Sequence, residues 1–203
     1  MALTPRRSLL WGLLILTLIV IAAAAVLRMR RPEPPPVMGQ VPDFTLVNRD
    51  GRTVQRADLA GRPWIADFIF TRCPASCPMM TARMARLDRE LPGDLELRLV
   101  SFSVDPEHDT PAVLERYAES FKAPARWLFL TGNGERIYRL SKEGFKLGVD
   151  AASQTSGAET AEPILHSTRF VLVDGKGRIR GYYDAFDAES MKGLTRDLQA
   201  ISR

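Results

Sequence analysis

Trp64-Ile-Ala-Asp-Phe-Ile-Phe-Thr-Arg-Cys73-Pro-Ala-Ser-Cys77-Pro-Met-Met80 is the stretch on which the fold turns. Its first seven residues form a short apolar run broken only by Asp67, suited to a buried strand. Met79–Leu91 then reads as a helix, because Met80, Met84, Leu87 and Leu91 recur at spacings of three and four and mark one apolar stripe. A strand running straight into a helix, with two cysteines at the junction, is an α/β signature.

The same alternation continues on both sides. Upstream, Phe44–Val47, a Gly51 turn and Thr53–Gln55 predict a hairpin. Downstream, Leu95–Val104 predicts a strand. Thr110 followed by Pro111 predicts an N-cap with proline at the first helical position, and Val113, Leu114, Tyr117 and Phe121 supply that helix's buried face. Trp127–Leu130 predicts a strand, Gly134–Lys142 a helix and Phe145–Val149 a strand. Ala151–Glu162, small and polar, reads as an exposed loop. Thr168–Val173 and Arg178–Tyr183 predict a second hairpin around Asp174–Gly177, and Ala188–Ile201 a closing helix.

Ahead of this domain, Leu9–Leu27 carries no charge. Its length suits a membrane-spanning helix of about 20 residues better than the shorter apolar core of a cleaved signal, although Ala23 and Ala25 could form a cleavage site. Arg6-Arg7 before the run is only a faint match to a twin-arginine signal. The expected organisation is a flank at 1–8, an anchor at 9–27, an Arg/Pro-rich linker at 28–38 that holds the domain off the bilayer, and one domain at 39–203. Two arginines precede the apolar run and three follow it, so charge leaves its orientation open. The chain's net charge of +4 comes from those flanks: residues 38–203 hold 23 basic and 23 acidic residues, a balance that argues against nucleic acid as a partner.

The chain has two cysteines and two histidines. Cysteines four apart share one face if their segment is helical, so their sulfurs could meet on a metal ion or in a disulfide. A helix N-terminus favours thiolate over thiol. Thiolates are soft donors that suit copper(I), zinc or iron–sulfur centres, and two cysteines cannot by themselves make a four-cysteine site. A structural disulfide here would close only three intervening residues and restrict little chain entropy. A working dithiol is the better reading. His166, at the entry to a late strand, is a candidate third ligand, since imidazole binds copper as well.

Taken together, Asp67-Phe-Ile-Phe-Thr-Arg-Cys73-Pro-Ala-Ser-Cys77-Pro-Met79, Ser103-Val-Asp-Pro-Glu-His-Asp-Thr-Pro111 and His166-Ser through Leu172-Val-Asp to Gly177 closely resemble the Sco/SenC family of copper-handling, membrane-anchored, thioredoxin-like proteins. The resemblance runs from about Gly39 to Ala200. It implies a thioredoxin-like fold, a central mixed sheet flanked by helices, behind an N-terminal transmembrane helix. It implies one copper ion, Cu(I) or Cu(II), bound by Cys73, Cys77 and His166. It also implies a metallochaperone role in maturing the dinuclear copper site of cytochrome c oxidase. The copper-site subunit of that enzyme would be the partner, with another periplasmic copper chaperone or a thiol reductant also possible. The domain would face the periplasm from the inner membrane.

Two positions depart from the family pattern: His108 stands where arginine is usual, and Leu165 where aspartate often precedes the metal histidine. Asp67, six residues before Cys73, matches the offset of the buried aspartate of thioredoxins and is a candidate proton relay for the dithiol. These features keep open a thiol–disulfide oxidoreductase that reduces the acceptor's copper-site cysteines, and a copper or redox sensor. A thiol peroxidase is a thinner match, through Thr71 and Arg72. His108, in a polar turn, is expected to be exposed, and Met80 to pack in the core rather than touch metal.

Overall fold

The computed structural model describes residues 5–29, 33–92, 95–147 and 167–202. The chain forms two compact units, Met1–Glu33 and Pro34–Arg203. The first holds helix α1, Pro5–Met29, whose side chains over 10–23 are exposed. No helix among the described residues is long and apolar enough to cross a membrane.

The second unit is built on a mixed sheet of eight strands: β1 Gly39–Gln40, β2 Thr45–Asn48, β3 Thr53–Gln55, β4 Trp64–Ile69, β5 Arg98–Ser103, β6 Trp127–Thr131, β7 Arg169–Val173 and β8 Arg178–Asp184. They lie in the order β1-β8-β7-β4-β5-β6-β2-β3. β4 pairs in parallel with β5 and β5 with β6, whereas β7 meets β4 antiparallel, with Trp64 opposite Val173. β4 is buried at every position, as its apolar sequence predicts for a central strand covered on both faces.

Side chains alternate across β4 and feed two cores. Ile65 and Ile69 face one that contains Cys73, Cys77, Met80 and Met84 of helix α2 (Ser76–Glu90), Leu114 and Ala118 of α3 (Pro111–Ser120), and Leu194 and Leu198 of α5 (Ala188–Ile201). Trp64, Ala66 and Phe68 face the other, with Ile137 of α4 (Gly134–Arg139) and Phe145. The Phe145 ring packs against those of Trp64, Phe68 and Phe102. The expected mixed α/β architecture is therefore present as three layers, with helices on both sides of the sheet.

Local signals set most boundaries. The Thr110 side chain accepts the Val113 N–H, with Pro111 at the first helical position. Asp187 caps α5 through the Ser190 N–H at 2.6 Å. α2 begins at Ser76, three residues before the expected start. Pro78 is tolerated there because a proline in the first turn forfeits no helical hydrogen bond. The expected helix over Gly134–Lys142 is α only to Arg139 and continues as a π-helical turn over Leu140–Gly144. The expected strand over Phe145–Val149 does not form in its described part: Lys146 has φ +52°, a left-handed conformation that no extended strand contains. Phe145 and Leu147 are still buried, so their apolar character reported the core and not a strand. Residues 148 and 149 and the expected loop at 151–162 lie outside the described residues.

Candidate metal and thiol centre

The cysteine loop sits where β4 ends and α2 begins. Both cysteines are free thiols and buried, Cys73 at 6% exposure and Cys77 at 3%. The N-cap residue of α2 is Ala75, which offers no side-chain oxygen. The Cys73 sulfur fills that role, accepting the Cys77 backbone N–H at 3.3 Å, and it lies 3.3 Å from the Ser76 hydroxyl. The cysteines therefore do not stand in line on one helical face as their spacing suggested. Cys73 lies ahead of the helix and Cys77 in its first turn.

Their environments separate the two thiols. Burial pushes Cys73 up, but the Ser76 hydroxyl, the Cys77 and Ala75 N–H groups and the Cys77 thiol together outweigh it, and its pKa lies below the usual cysteine value. Burial pushes Cys77 up to about 12, against a hydrogen bond involving the Phe70 backbone, and the nearby Cys73 and Asp67 raise it further. Cys73 is the more acidic of the two thiols, and Cys77 holds its proton. Behind them, Thr81 donates to the Cys77 carbonyl at 2.9 Å and lies 2.9 Å from the Tyr117 hydroxyl.

Asp67 is fully buried on the cysteine face of β4, and neither carboxylate oxygen has a hydrogen-bond partner among the described residues. Burial raises its pKa to about 7; the Ser101 hydroxyl on the adjoining strand and the backbone oppose this without making a hydrogen bond of normal geometry. A carboxyl held near neutrality on the cysteine face of β4 is a candidate for proton exchange with the dithiol.

Sequence reasoning missed the group that fixes the loop. Asp109 is completely buried and takes four contacts: the Thr71 N–H at 3.0 Å, the Thr71 hydroxyl at 2.5 Å, the Ser103 hydroxyl at 2.6 Å and His108 Nδ1 at 3.0 Å. Arg72 adds an ion pair to Asp105 at 2.6 Å. The loop residues before Cys73 are thus pinned to the turn after β5. The donor atoms of Asp105, His108 and Asp109 lie within 4.8 Å of one another. With both Asp109 oxygens already engaged, they form a hydrogen-bond hub, not an open ligand set. A polar Asp-Pro-Glu-His-Asp run beside a strand was the available signal, but sequence alone does not say that its last carboxylate is interior.

His108 keeps a 40% exposed side chain, in line with expectation. Met80 is buried in the core stripe, whereas Met79 is 52% exposed. His166 and Leu165 lie outside the described residues. Ser167, the residue after His166, is buried ahead of β7. Because β7 is antiparallel to β4, it starts at the end of the sheet where β4 delivers the cysteines.

The SCO1/SenC family profile matches residues 34–202. This chain belongs to the SCO1/SenC family. It is 34% identical over 163 residues to a putative copper-binding protein of Stutzerimonas stutzeri, covering 79% of this chain and 76% of the relative. Among solved structures it resembles a SCO1/SenC family lipoprotein of Bacillus anthracis, with TM-score 0.72 and 30% identity over 85% of this chain and 100% of that one. It also resembles BsSco, described as a member of the Sco family of cytochrome c oxidase assembly proteins with a disulfide switch. There the TM-score is 0.71 and the identity 31%, over 84% and 98% of the two chains. The thioredoxin-like Sco architecture is thus the fold of this SCO1/SenC chain.

Proposed function

We propose that this protein is a copper metallochaperone that takes up one copper ion on Cys73, Cys77 and His166 and passes it to the copper-site subunit of cytochrome c oxidase. The observation that carries this reading is the pair of free thiols at the N-terminus of α2, one of them biased toward thiolate by hydrogen bonds at its sulfur. Two soft sulfur donors fit copper, and the copper-binding relative and the oxidase-assembly relative point to the same cargo and acceptor. His166 is the third ligand in this reading, supported by the placement of Ser167 at the sheet end that carries the cysteines. Copper is cargo here. Cys73, the more acidic thiol, would engage it first, and Cys77 would release its proton as it binds.

In the same reading residues 1–8 are a flank, 9–27 an anchor in the inner membrane and 28–38 a linker, with the domain at 39–203 in the periplasm. The lipoprotein relative supports a membrane-attached domain, and the uncharged Leu9–Leu27 supplies the means.

Anaerobic titration of the reduced domain with copper(I) and copper(II), comparing wild type with His166→Ala, tests the site. Tight one-to-one binding with a sulfur-to-copper(II) charge-transfer band that disappears in the variant supports it. Weak binding indifferent to His166 would sink it.

A second reading is a thiol–disulfide oxidoreductase acting on the acceptor's cysteines. The divergence of the two thiol pKa values and the unpartnered Asp67 favour it: Cys73 would attack, Cys77 would resolve, and Asp67 would carry the proton. His166 is dispensable in this reading, so the same variant separates the two.

A further inference from the structure

The end of the sheet opposite the cysteines carries a site that neither copper binding nor thiol exchange uses. There the β7–β8 turn, the entry to β4 and the incoming chain at Pro34 surround a cavity of about 390 Å³. Three cations line it: Lys176, Arg178 and Arg180. Asp174 arranges two of them. It accepts the Arg178 Nε at 2.8 Å and the Arg180 Nε at 2.9 Å, together with the backbone N–H groups of Lys176 and Arg178. Arg180 Nη1 donates to the Pro35 carbonyl at 2.6 Å, which ties the incoming chain to the rim. The Lys176 side chain is exposed and makes no ion pair among the described residues. Three positive charges against one carboxylate leave the cavity with a surplus of two, its guanidinium groups pre-oriented by a buried acid.

Such a cavity suits a phosphate ester. The neighbouring sequence indicates where the phosphate would come from. Pro34 and Pro35, at its rim, are the first residues of the folded domain, and six residues of chain separate Pro34 from the uncharged run that ends at Leu27. Those six include Arg28, Arg30 and Arg31 against Glu33 alone. A basic cavity at the first residues of the domain, preceded in sequence by a basic segment and an uncharged run, matches an anionic bilayer surface. We propose that the Lys176–Arg178–Arg180 cavity seats the phosphate of an anionic phospholipid headgroup, so that the domain rests on the membrane by the end opposite its cysteines. The proposal rests on the reading of 9–27 as an anchor.

The test uses the unit Pro34–Arg203, which is compact and contains both cores, so it does not depend on the anchor itself. Co-sedimentation with vesicles of phosphatidylcholine alone is compared with vesicles of equal parts phosphatidylcholine and phosphatidylglycerol. The expected result is binding that requires phosphatidylglycerol, weakens with added salt and falls about fivefold or more in Lys176→Glu. Lys192→Glu, on α5 beside Glu189, should bind as wild type. Equal binding by wild type and Lys176→Glu, or binding that ignores phosphatidylglycerol, overturns the proposal. So does saturable binding of inorganic phosphate, followed by calorimetry, with no binding to vesicles, which would assign the cavity to a free anion. Carbonate extraction of the full chain from membranes reads the anchor separately: a chain released by carbonate refutes the anchor and leaves the vesicle result standing on its own.

Discussion

The Cys73 sulfur accepts the Cys77 backbone N–H at 3.3 Å, so one cysteine caps the helix that carries the other. This contact and the Ser76 hydroxyl lower Cys73, while burial raises Cys77. A sulfur that receives N–H groups is favoured as an anion, and a sulfur buried beside it is not.

Alkylation should therefore be ordered. At pH 7–8, iodoacetamide is expected to modify Cys73 more than about a hundredfold faster than Cys77, since only thiolate reacts and Cys77 titrates near 12. Peptide mapping by mass spectrometry over time reads this directly. Cys73→Ser should leave a chain nearly inert below pH 10, and comparable rates for the two thiols would refute the assignment.

Asp67 makes stability depend on pH. Its folded pKa, raised to about 7 from 3.8, lies above the unfolded value. The folded state therefore holds a proton that the unfolded state has lost. That contribution is fully present below pH 3.8 and is lost as pH rises through 7, on the order of 4 kcal/mol in all. Asp67→Asn should match wild type in urea unfolding near pH 4 and exceed it by a few kcal/mol at pH 8. If proton transfer also runs through this carboxyl, the variant will lose the pH dependence of disulfide reduction between pH 6 and 9.

Asp109→Ala is expected to cost about 3 kcal/mol or more, because the Thr71 N–H and hydroxyl, the Ser103 hydroxyl and His108 lose their common acceptor. Ser103→Ala, which removes one of the four donors, should cost about 1 kcal/mol. Chemical denaturation measures both. Faster alkylation of Cys73 in Asp109→Ala would confirm that this hub holds the cysteine loop in place.

Thr110→Ala removes the cap that accepts the Val113 N–H. A loss of about 1 kcal/mol is expected, with copper binding and thiol reactivity unchanged, because α3 supplies no thiol or proposed copper ligand.

Much of this was legible in the sequence. The apolar run at 64–70, the stripe Met80-Met84-Leu87-Leu91 and the Thr110–Pro111 cap each carry a local physical reason for their structure, and each appears as expected. What escaped depends on contacts between distant residues. β1 is only Gly39–Gln40 and exists because it pairs with Ile179 and Arg178. Phe145 and Leu147 look like strand residues because burial, not extension, selects their side chains. The cysteines could be named from their spacing. Their unequal acidity could not, because it comes from where Ala75 and Ser76 place the start of a helix. Asp109 reads as a turn residue until Thr71, 38 positions earlier, is seen to bind it.

The position of β4 in the sheet has a consequence for assembly. One neighbour, β5, follows within a few dozen residues, but the other, β7, places Val173 opposite Trp64, 109 positions later. Closing so long a loop is entropically costly, and non-local strand pairing of this kind is slow. Until the C-terminal hairpin arrives, β4 is bare along one side, and the loop that presents Cys73 hangs from an unfinished strand. During synthesis the thiols are therefore chemically present well before they are organised. The last forty residues, which contain neither cysteine, decide when the chain becomes competent.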